Sequence, residues 1–299
     1  MFEDIFGNQK VKEILTKTIK AKRTSHSYMF IGLEGIGKKI FAKELAKAIL
    51  CMEEGKYCNN CKSCIEFSSD NNPDFIYIEP EENKIKIDQI RNMQLKVAEK
   101  PIISANKVYI IDNADTMTQE AQNCLLKTLE EPPEYVTIIL IGSNENNFLT
   151  TIKSRCTKIY FEKISNEEIK QYLKKEYEID NLGEELLEIA DGSIKRAIEV
   201  KENRETYKAL EKIIEDIDKC DIIDVLNGAS ELYKSKEKVF TILENLNIIA
   251  MKKAKINAKY ANCIKVIEDT KKRLKANSNY DMCIDNLLFN LWGEVNWKV

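Results

Sequence analysis

Tyr28-Met29-Phe30-Ile31-Gly32-Leu33-Glu34-Gly35-Ile36-Gly37-Lys38-Lys39 is the stretch that decides the fold of this chain. An apolar, strand-forming run breaks at Gly32, and helical composition resumes from about Lys38 to Leu50. A strand, a glycine-rich turn and a helix in this order form the setting of a phosphate-binding loop. Gly32, Gly35 and Gly37 let backbone N–H groups converge on phosphate oxygens. The helix N-terminus adds its dipole, and Lys38 supplies a point charge. The plain alternative is an ordinary glycine-rich turn; spacing, lysine and flanking structure favour the loop.

Further apolar runs follow at Phe75–Ile78, Val108–Ile111 and Val136–Ile141, with a shorter one at Lys158–Phe161. Continuous apolar runs separated by helices predict a parallel sheet covered on both faces. After Glu162 the pattern becomes helical: Ile169, Tyr172 and Leu173 keep helical spacing, as do Leu182, Leu186, Leu187 and Ile189 approximately. Asp191-Gly192-Ser193 reads as a helix stop followed by a new N-cap, and Val239, Phe240, Leu243 and Leu246 read as one apolar stripe. The expected organisation is an α/β domain over residues 1–162, a small helical domain over 163–204 and a C-terminal helical domain over 205–299.

Hydrophobic residues make up 43% of the 299 and charged residues 32%, an ordinary globular balance. A net charge of −3 gives no global electrostatic case for nucleic acid, so any such contact needs a local patch. The basic stretch 252–275 is the candidate patch, although a solvated helix face explains it more simply. No apolar run is long enough for a transmembrane helix, and the acidic start Met1-Phe2-Glu3-Asp4 lacks signal-peptide order. A cytoplasmic location is expected. The single histidine, His26, precedes the first strand and suits capping or packing. Trp292 and Trp297 suit helix packing or a subunit seam.

Four of the nine cysteines, Cys51, Cys58, Cys61 and Cys64, lie within the segment 51–64. Clustered thiols without an export signal point to tetrahedral zinc, and four protein ligands make the site structural, with no place for a catalytic water. Free thiols or a redox pair are the alternatives.

Two residues depart from a hydrolytic site. The residue after Lys38 should carry a hydroxyl to ligate Mg²⁺ at the β- and γ-phosphates, and here it is Lys39. The run Val108–Ile111 delivers Asp112, the position of a Walker B aspartate, but Asn113 follows where a glutamate would polarise water. Turnover is not expected, and ATP or ADP binding is in doubt.

Val108-Tyr109-Ile110-Ile111-Asp112-Asn113-Ala114-Asp115, then Asn123-Cys124-Leu125-Leu126-Lys127-Thr128-Leu129-Glu130-Glu131-Pro132-Pro133, then Thr151-Ile152-Lys153-Ser154-Arg155-Cys156 resemble the bacterial clamp-loader subunits of DNA polymerase III. Phe6-Gly7-Asn8-Gln9 and His26-Ser27-Tyr28-Met29-Phe30 fit as well. The resemblance is dense over about the first 200 residues and implies an AAA+ P-loop fold with an inserted zinc module, although the first cysteine spacing is short for the family. The ATP-hydrolysing gamma/tau subunits keep the Thr and Glu that are missing here, so the pattern is closest to the delta-prime type.

The resemblance further implies that Arg155, flanked by Ser154 and Cys156, is an arginine finger offered to ATP on a neighbouring subunit. An arginine satisfying the end of the sheet is the structural alternative. By the same resemblance Lys195, in Gly192-Ser193-Ile194-Lys195-Arg196-Ala197, stands at the sensor-2 position, and Ser143 or Asn144 near sensor-1. The implied partners are gamma/tau-type ATPase subunits, a delta-type clamp-opening subunit and, through the complex, a sliding clamp and primed DNA. Two other functions remain open: an active gamma/tau-type ATPase, and a zinc-dependent DNA-binding module on a degenerate scaffold.

Overall fold

The computed structural model describes residues 2–53, 55–179, 183–202, 210, 212, 214–228, 232–233 and 236–296. Strands β1 (Ser27–Ile31), β2 (Phe75–Ile78), β3 (Lys107–Ile111), β4 (Val136–Gly142) and β5 (Thr157–Tyr160) form one sheet in the order β2-β3-β4-β1-β5. Every neighbouring pair is parallel. Each expected apolar run coincides with a strand to within a residue at either end. All seven residues of β4 are buried, as β-branched side chains in a doubly covered strand should be.

Helices α1 (Gln9–Lys20), α2 (Lys38–Leu50), α3 (Lys62–Ser68), α4 (Ile87–Val97), α5 (Gln119–Glu130), α6 (Thr150–Lys153) and α7 (Asn166–Tyr177) accompany the strands. Met29, Ile31, Tyr109, Ile111, Ile138 and Leu140 share one core with Ile90 and Met93 of α4 and Leu125 and Leu129 of α5. Alternate strand residues face the other way. There Phe30 meets Phe161 at 5.2 Å between ring centroids, and Phe161 meets Phe41 of α2 at 5.1 Å. His26 donates from Nδ1 to the Val136 carbonyl at 3.2 Å, a structural role.

A buried carboxylate ties the strands to the segment before β3. Asp74 is fully buried and accepts from the backbone N–H groups of Ile102, Ile103 and Ser104, each at 2.7 Å. Its own N–H donates to Asn72 at 2.9 Å, and Asn72 reaches the Ser63 carbonyl of α3 at 2.9 Å.

Among the described residues further helices are α8 (Glu184–Ala190), α9 (Ile194–Glu202), α10 (Ile222–Gly228), α11 (Val239–Ile256), α12 (Ala261–Lys275) and α13 (Tyr280–Asn296). By backbone proximity the chain divides into two compact units, Met1–Asn181 with Asp191–Lys195, and Leu182–Ala190 with Arg196–Val299. Helix α7 belongs to the first unit and α8 to the second, so the segment expected as a separate small domain is shared between them. The stop at Asp191-Gly192 is present, with both residues at positive φ between α8 and α9.

In the second unit α11 buries Val239, Ile242, Leu243 and Leu246, whereas Phe240 is 40% exposed. One residue past Val239 lies about 100° round the helix, which takes Phe240 off the stripe and leaves Ile242 on it. Trp292 donates from Nε1 to the Cys220 carbonyl at 2.9 Å; Trp297 lies outside the described residues. Four lysines of the basic stretch are paired with carboxylates: Lys252 with Glu188, Lys253 with Glu215, Lys271 with Glu268 and Lys272 with Asp269, all within 3.1 Å. Among the described residues no helix is long and apolar enough to cross a membrane.

Replacing Asp74 by Ala leaves three backbone donors without their acceptor. The expected loss is about 3 kcal/mol, read as a lowered urea midpoint with an unchanged slope. A midpoint like the parent's would mean that water or another group satisfies those donors.

Candidate functional site

The glycine-rich loop leaves the carboxyl end of β1 and enters α2 at Lys38. Gly35 and Gly37 adopt φ of 78° and 93°, the left-handed region that favours glycine. A side chain at Gly35 would also collide with Ser193 and Lys195. Lys38 is buried, and its Nζ donates to the loop's own carbonyls, Gly32 at 2.5 Å and Leu33 at 2.6 Å. Burial pulls its pKa down to about 8, against Asp115, Glu34 and Asp112, which hold it up. Beside the loop lies a cavity of about 90 Å³ walled by Ile5, Phe6, Ile36, Ile40, Ile164 and Tyr172.

Lys195 reaches this loop. Its N–H donates to the Gly35 carbonyl at 3.3 Å and its Nζ pairs with Glu34 at 2.5 Å. Its ammonium is therefore held by a carboxylate of the loop itself. Ser143 and Asn144 donate their N–H groups to Asp115 at 3.1 and 3.0 Å, while the Asn144 side chain accepts from Asn146.

At the carboxyl end of β3, Asp112 meets three groups. Oδ1 accepts from the Asn113 N–H at 2.9 Å, and Oδ2 accepts a short hydrogen bond from the Tyr77 hydroxyl. The Lys39 ammonium stands 3.8 Å from the same Oδ2 and 4.4 Å from the centre of the Tyr77 ring. Burial, reinforced by Asp112, holds the Tyr77 phenol well above its usual range and keeps it a donor. Asn113 is exposed, with φ of 47°. The Mg²⁺ that a phosphate loop ordinarily holds finds no fit in this arrangement. Lys39 replaces its hydroxyl ligand, and the remaining carboxylate already serves an ammonium, a phenol and an amide. Magnesium demands near-ideal octahedral oxygen geometry, which these residues do not offer.

Arg155 lies at the opposite edge of the sheet. Parallel pairing sets Tyr28 against Thr157 and Ile31 against Tyr160, so Gly32 follows the carboxyl end while Arg155 precedes the amino end of β5. At about 3.3 Å per residue the two are roughly 20 Å apart along the strands. Arg155 donates from Nη1 to the Thr151 carbonyl at 2.9 Å, and its Nη2 pairs with Glu130 of α5 at 2.8 Å. Ser154 caps the Thr151 carbonyl at 3.0 Å, and burial pushes the neighbouring Cys156 thiol up to about 12.

The four clustered cysteines converge. Cys51, Cys58, Cys61 and Cys64 bring their sulfurs within 4.8 Å of one another. Cys51 and Cys61 are 4.0 Å apart, near the ~3.8 Å edge of a thiolate tetrahedron with 2.3 Å zinc–sulfur bonds. Backbone N–H groups of Cys58, Cys61 and Cys64 donate to the sulfurs of Cys51, Cys58 and Cys61 at 3.3, 3.2 and 3.4 Å. Such donors stabilise thiolates. Although burial opposes it, the N–H groups of Met52 and Cys64 and the neighbouring thiols bring Cys61 down to about 7, whereas burial pushes Cys64 up to about 12. The donor set fits structural zinc, with all four positions filled by protein.

A family model described as DNA polymerase III, delta subunit, matches residues 7–165, more than half of the chain. This chain belongs to the DNA polymerase III clamp-loader family. Among curated proteins, this clamp-loader subunit is 38% identical over 173 residues to the gamma/tau subunit of Mycoplasma pneumoniae, covering 58% of the chain and 25% of that relative. To the delta′ subunit of Bacillus subtilis it is 34% identical over 206 residues, covering 69% of the chain and 62% of the relative. To the tau subunit of the same bacterium it is 33% identical over 262 residues, covering 82% and 45%. It therefore spans between a quarter and about three-fifths of these relatives. A gamma subunit-related protein from Thermotoga maritima shares the fold at a TM-score of 0.52 and 21% identity, covering 95% of this chain and 99% of that one.

Tyr77, Glu34 and Glu130 were not among the expected site residues of this clamp-loader subunit. Glu34 lies inside the glycine-rich loop and Tyr77 inside the run Phe75–Ile78, but their partners sit on elements remote in sequence, so no local motif marks the pairings. Glu130, inside the quoted stretch ending Glu131-Pro132-Pro133, was legible as motif but not as the partner of Arg155.

Two outcomes test this geometry. Purified protein should carry about one zinc per chain by elemental analysis. Cys61→Ser should lower that content and cost about 3 kcal/mol, roughly 6–12 °C in Tm. For Lys38, whose folded pKa of about 8 lies below the ordinary lysine value of 10.5, the unfolded chain binds the extra proton between those values. Stability should therefore rise with pH from about 8 to 10.5 relative to a Lys38→Met variant, compared by urea midpoints at each pH. Parallel pH profiles would contradict the buried ammonium.

Proposed function

We propose that this chain is a delta-prime-like clamp-loader subunit that does not hydrolyse ATP and lends Arg155 to a neighbouring ATPase subunit. The observation that carries the reading is the register of β5. Arg155 stands roughly 20 Å along the sheet from its own phosphate loop, so its charge serves a phosphate held by another chain. At the loop itself Lys39 and Asn113 replace the hydroxyl and carboxylate that hydrolysis needs. Comparable identities to gamma/tau and delta′ relatives do not separate the two types, so these residue-level departures support the choice.

In this reading Glu130 holds the Arg155 guanidinium in position until a partner arrives, and Cys156 packs against the core of the sheet. Gamma/tau-type subunits and a delta-type clamp-opening subunit complete the assembly, which acts in the cytoplasm on a sliding clamp and primed DNA. The helices after residue 162 supply the lid and the collar that joins the ring, and zinc stiffens the 51–64 module.

The 38% identity to a gamma/tau subunit favours a second reading, an active ATPase with an unusual loop. One experiment separates them. Assembled with its ATPase and clamp-opening partners, Arg155→Ala should keep the complex intact but lower DNA- and clamp-stimulated ATPase by roughly tenfold or more. The parent chain alone should release no phosphate. Unchanged turnover by the variant complex would remove the finger, and Lys38-dependent hydrolysis by the lone chain would establish the second reading.

A further inference from the structure

We propose that Lys39 takes the place of the divalent cation, so that the phosphate loop of this chain binds a nucleoside polyphosphate free of metal. The inference rests on the phosphate-loop reading and is independent of the role given to Arg155.

In a metal-dependent loop the cation sits between the phosphates, a hydroxyl after the loop lysine, and an aspartate at the end of a neighbouring strand. Here the aspartate is present and the hydroxyl is not. The side chain that replaces it points to the same aspartate, with the Lys39 ammonium 3.8 Å from Asp112 Oδ2. Tyr77 holds this pair from two sides. Its hydroxyl donates to Asp112, and its ring face lies 4.4 Å beneath the Lys39 ammonium. A second lysine of α2, Lys43, lies 5.9 Å from the same ring. The aspartate is thus matched by an internal monovalent cation instead of being kept for Mg²⁺.

Charge decides the consequence. A divalent ion beside Asp112 would face the ammonium of Lys39 at close range, with Lys38 at the mouth of the same loop, so its entry is opposed. A metal-free polyphosphate, by contrast, carries its full negative charge and is drawn to those ammonium groups. The Lys39 side chain is 48% exposed, and its flexible stem can swing between Asp112 and a phosphate oxygen. Lys38 would exchange its two loop carbonyls for phosphate oxygens, which accept from it more strongly because they are charged.

Calorimetric titration of the full chain with ATP, in resin-treated buffer without added Mg²⁺ and in excess Mg²⁺, tests the inference; no chelator is used, so the cysteine cluster keeps its metal. Affinity without Mg²⁺ is expected to equal or exceed that with it. Lys39→Thr should weaken binding without Mg²⁺ by about tenfold and make it metal-dependent, while Lys39→Arg should keep the parent behaviour. Zinc content and Tm of each variant confirm that it has folded. Binding by the parent only with Mg²⁺, no binding in either buffer, or a Lys39→Thr variant that titrates like the parent would each overturn the proposal. None of those results touches the prediction for Arg155→Ala in the assembled complex.

Discussion

Parallel pairing of β1, β4 and β3 is the constraint from which the rest of this structure follows. Because the strands run in one direction, their carboxyl ends share one edge, and the loops leaving β1 and β3 emerge side by side across β4. Lys38 and Lys39 leave one strand and Asp112 the other, so they meet without any contact between them in sequence. The same pairing sends the segment before β5 to the far edge. A parallel sheet therefore puts the phosphate loop at one end of the strands and Arg155 at the other.

Within the loop the charges are satisfied by the protein itself. Lys38 donates to two loop carbonyls, Lys195 pairs with Glu34, and Lys39 with Asp112. Pairs as exposed as Lys195 and Glu34 contribute little, on the order of 1 kcal/mol or less. Their effect is on geometry, because each gives a cation a resting place where an ATPase would present it to phosphate and metal. Lys38 is different. Its ammonium is nearly buried, desolvation lowers its pKa to about 8, and the nearby carboxylates Asp115, Glu34 and Asp112 oppose that fall.

Two polar anchors hold the edge of the α/β unit that carries the cysteines. Asp74 collects three backbone N–H groups ahead of β3, and Asn72 links it to α3, whose N-cap is Cys61. The sulfur cluster is thus attached to the sheet through hydrogen bonds as well as through the α2 helix that ends at Leu50. A structural metal held here would stabilise a segment with few apolar residues of its own, where burial alone would not suffice.

From its sequence alone the chain determined its strands, its phosphate-loop helix and its cysteine cluster, because each is written locally. Apolar runs, glycine spacing and paired CxxC turns are properties of adjacent residues. The departures at Lys39 and Asn113 were legible for the same reason, as single residues read against a motif. What only the tertiary structure decided was where those residues point. The stripe of α11 omits Phe240 for Ile242 because a helix turns about 100° per residue. Lys195 meets Glu34, Arg155 meets Glu130, and Tyr77 joins Lys39 to Asp112. These partners lie tens of residues apart or more, and only strand order and register bring them together. Local pattern encodes backbone conformation, whereas the pairing of charges depends on distances that exist only once the sheet has formed.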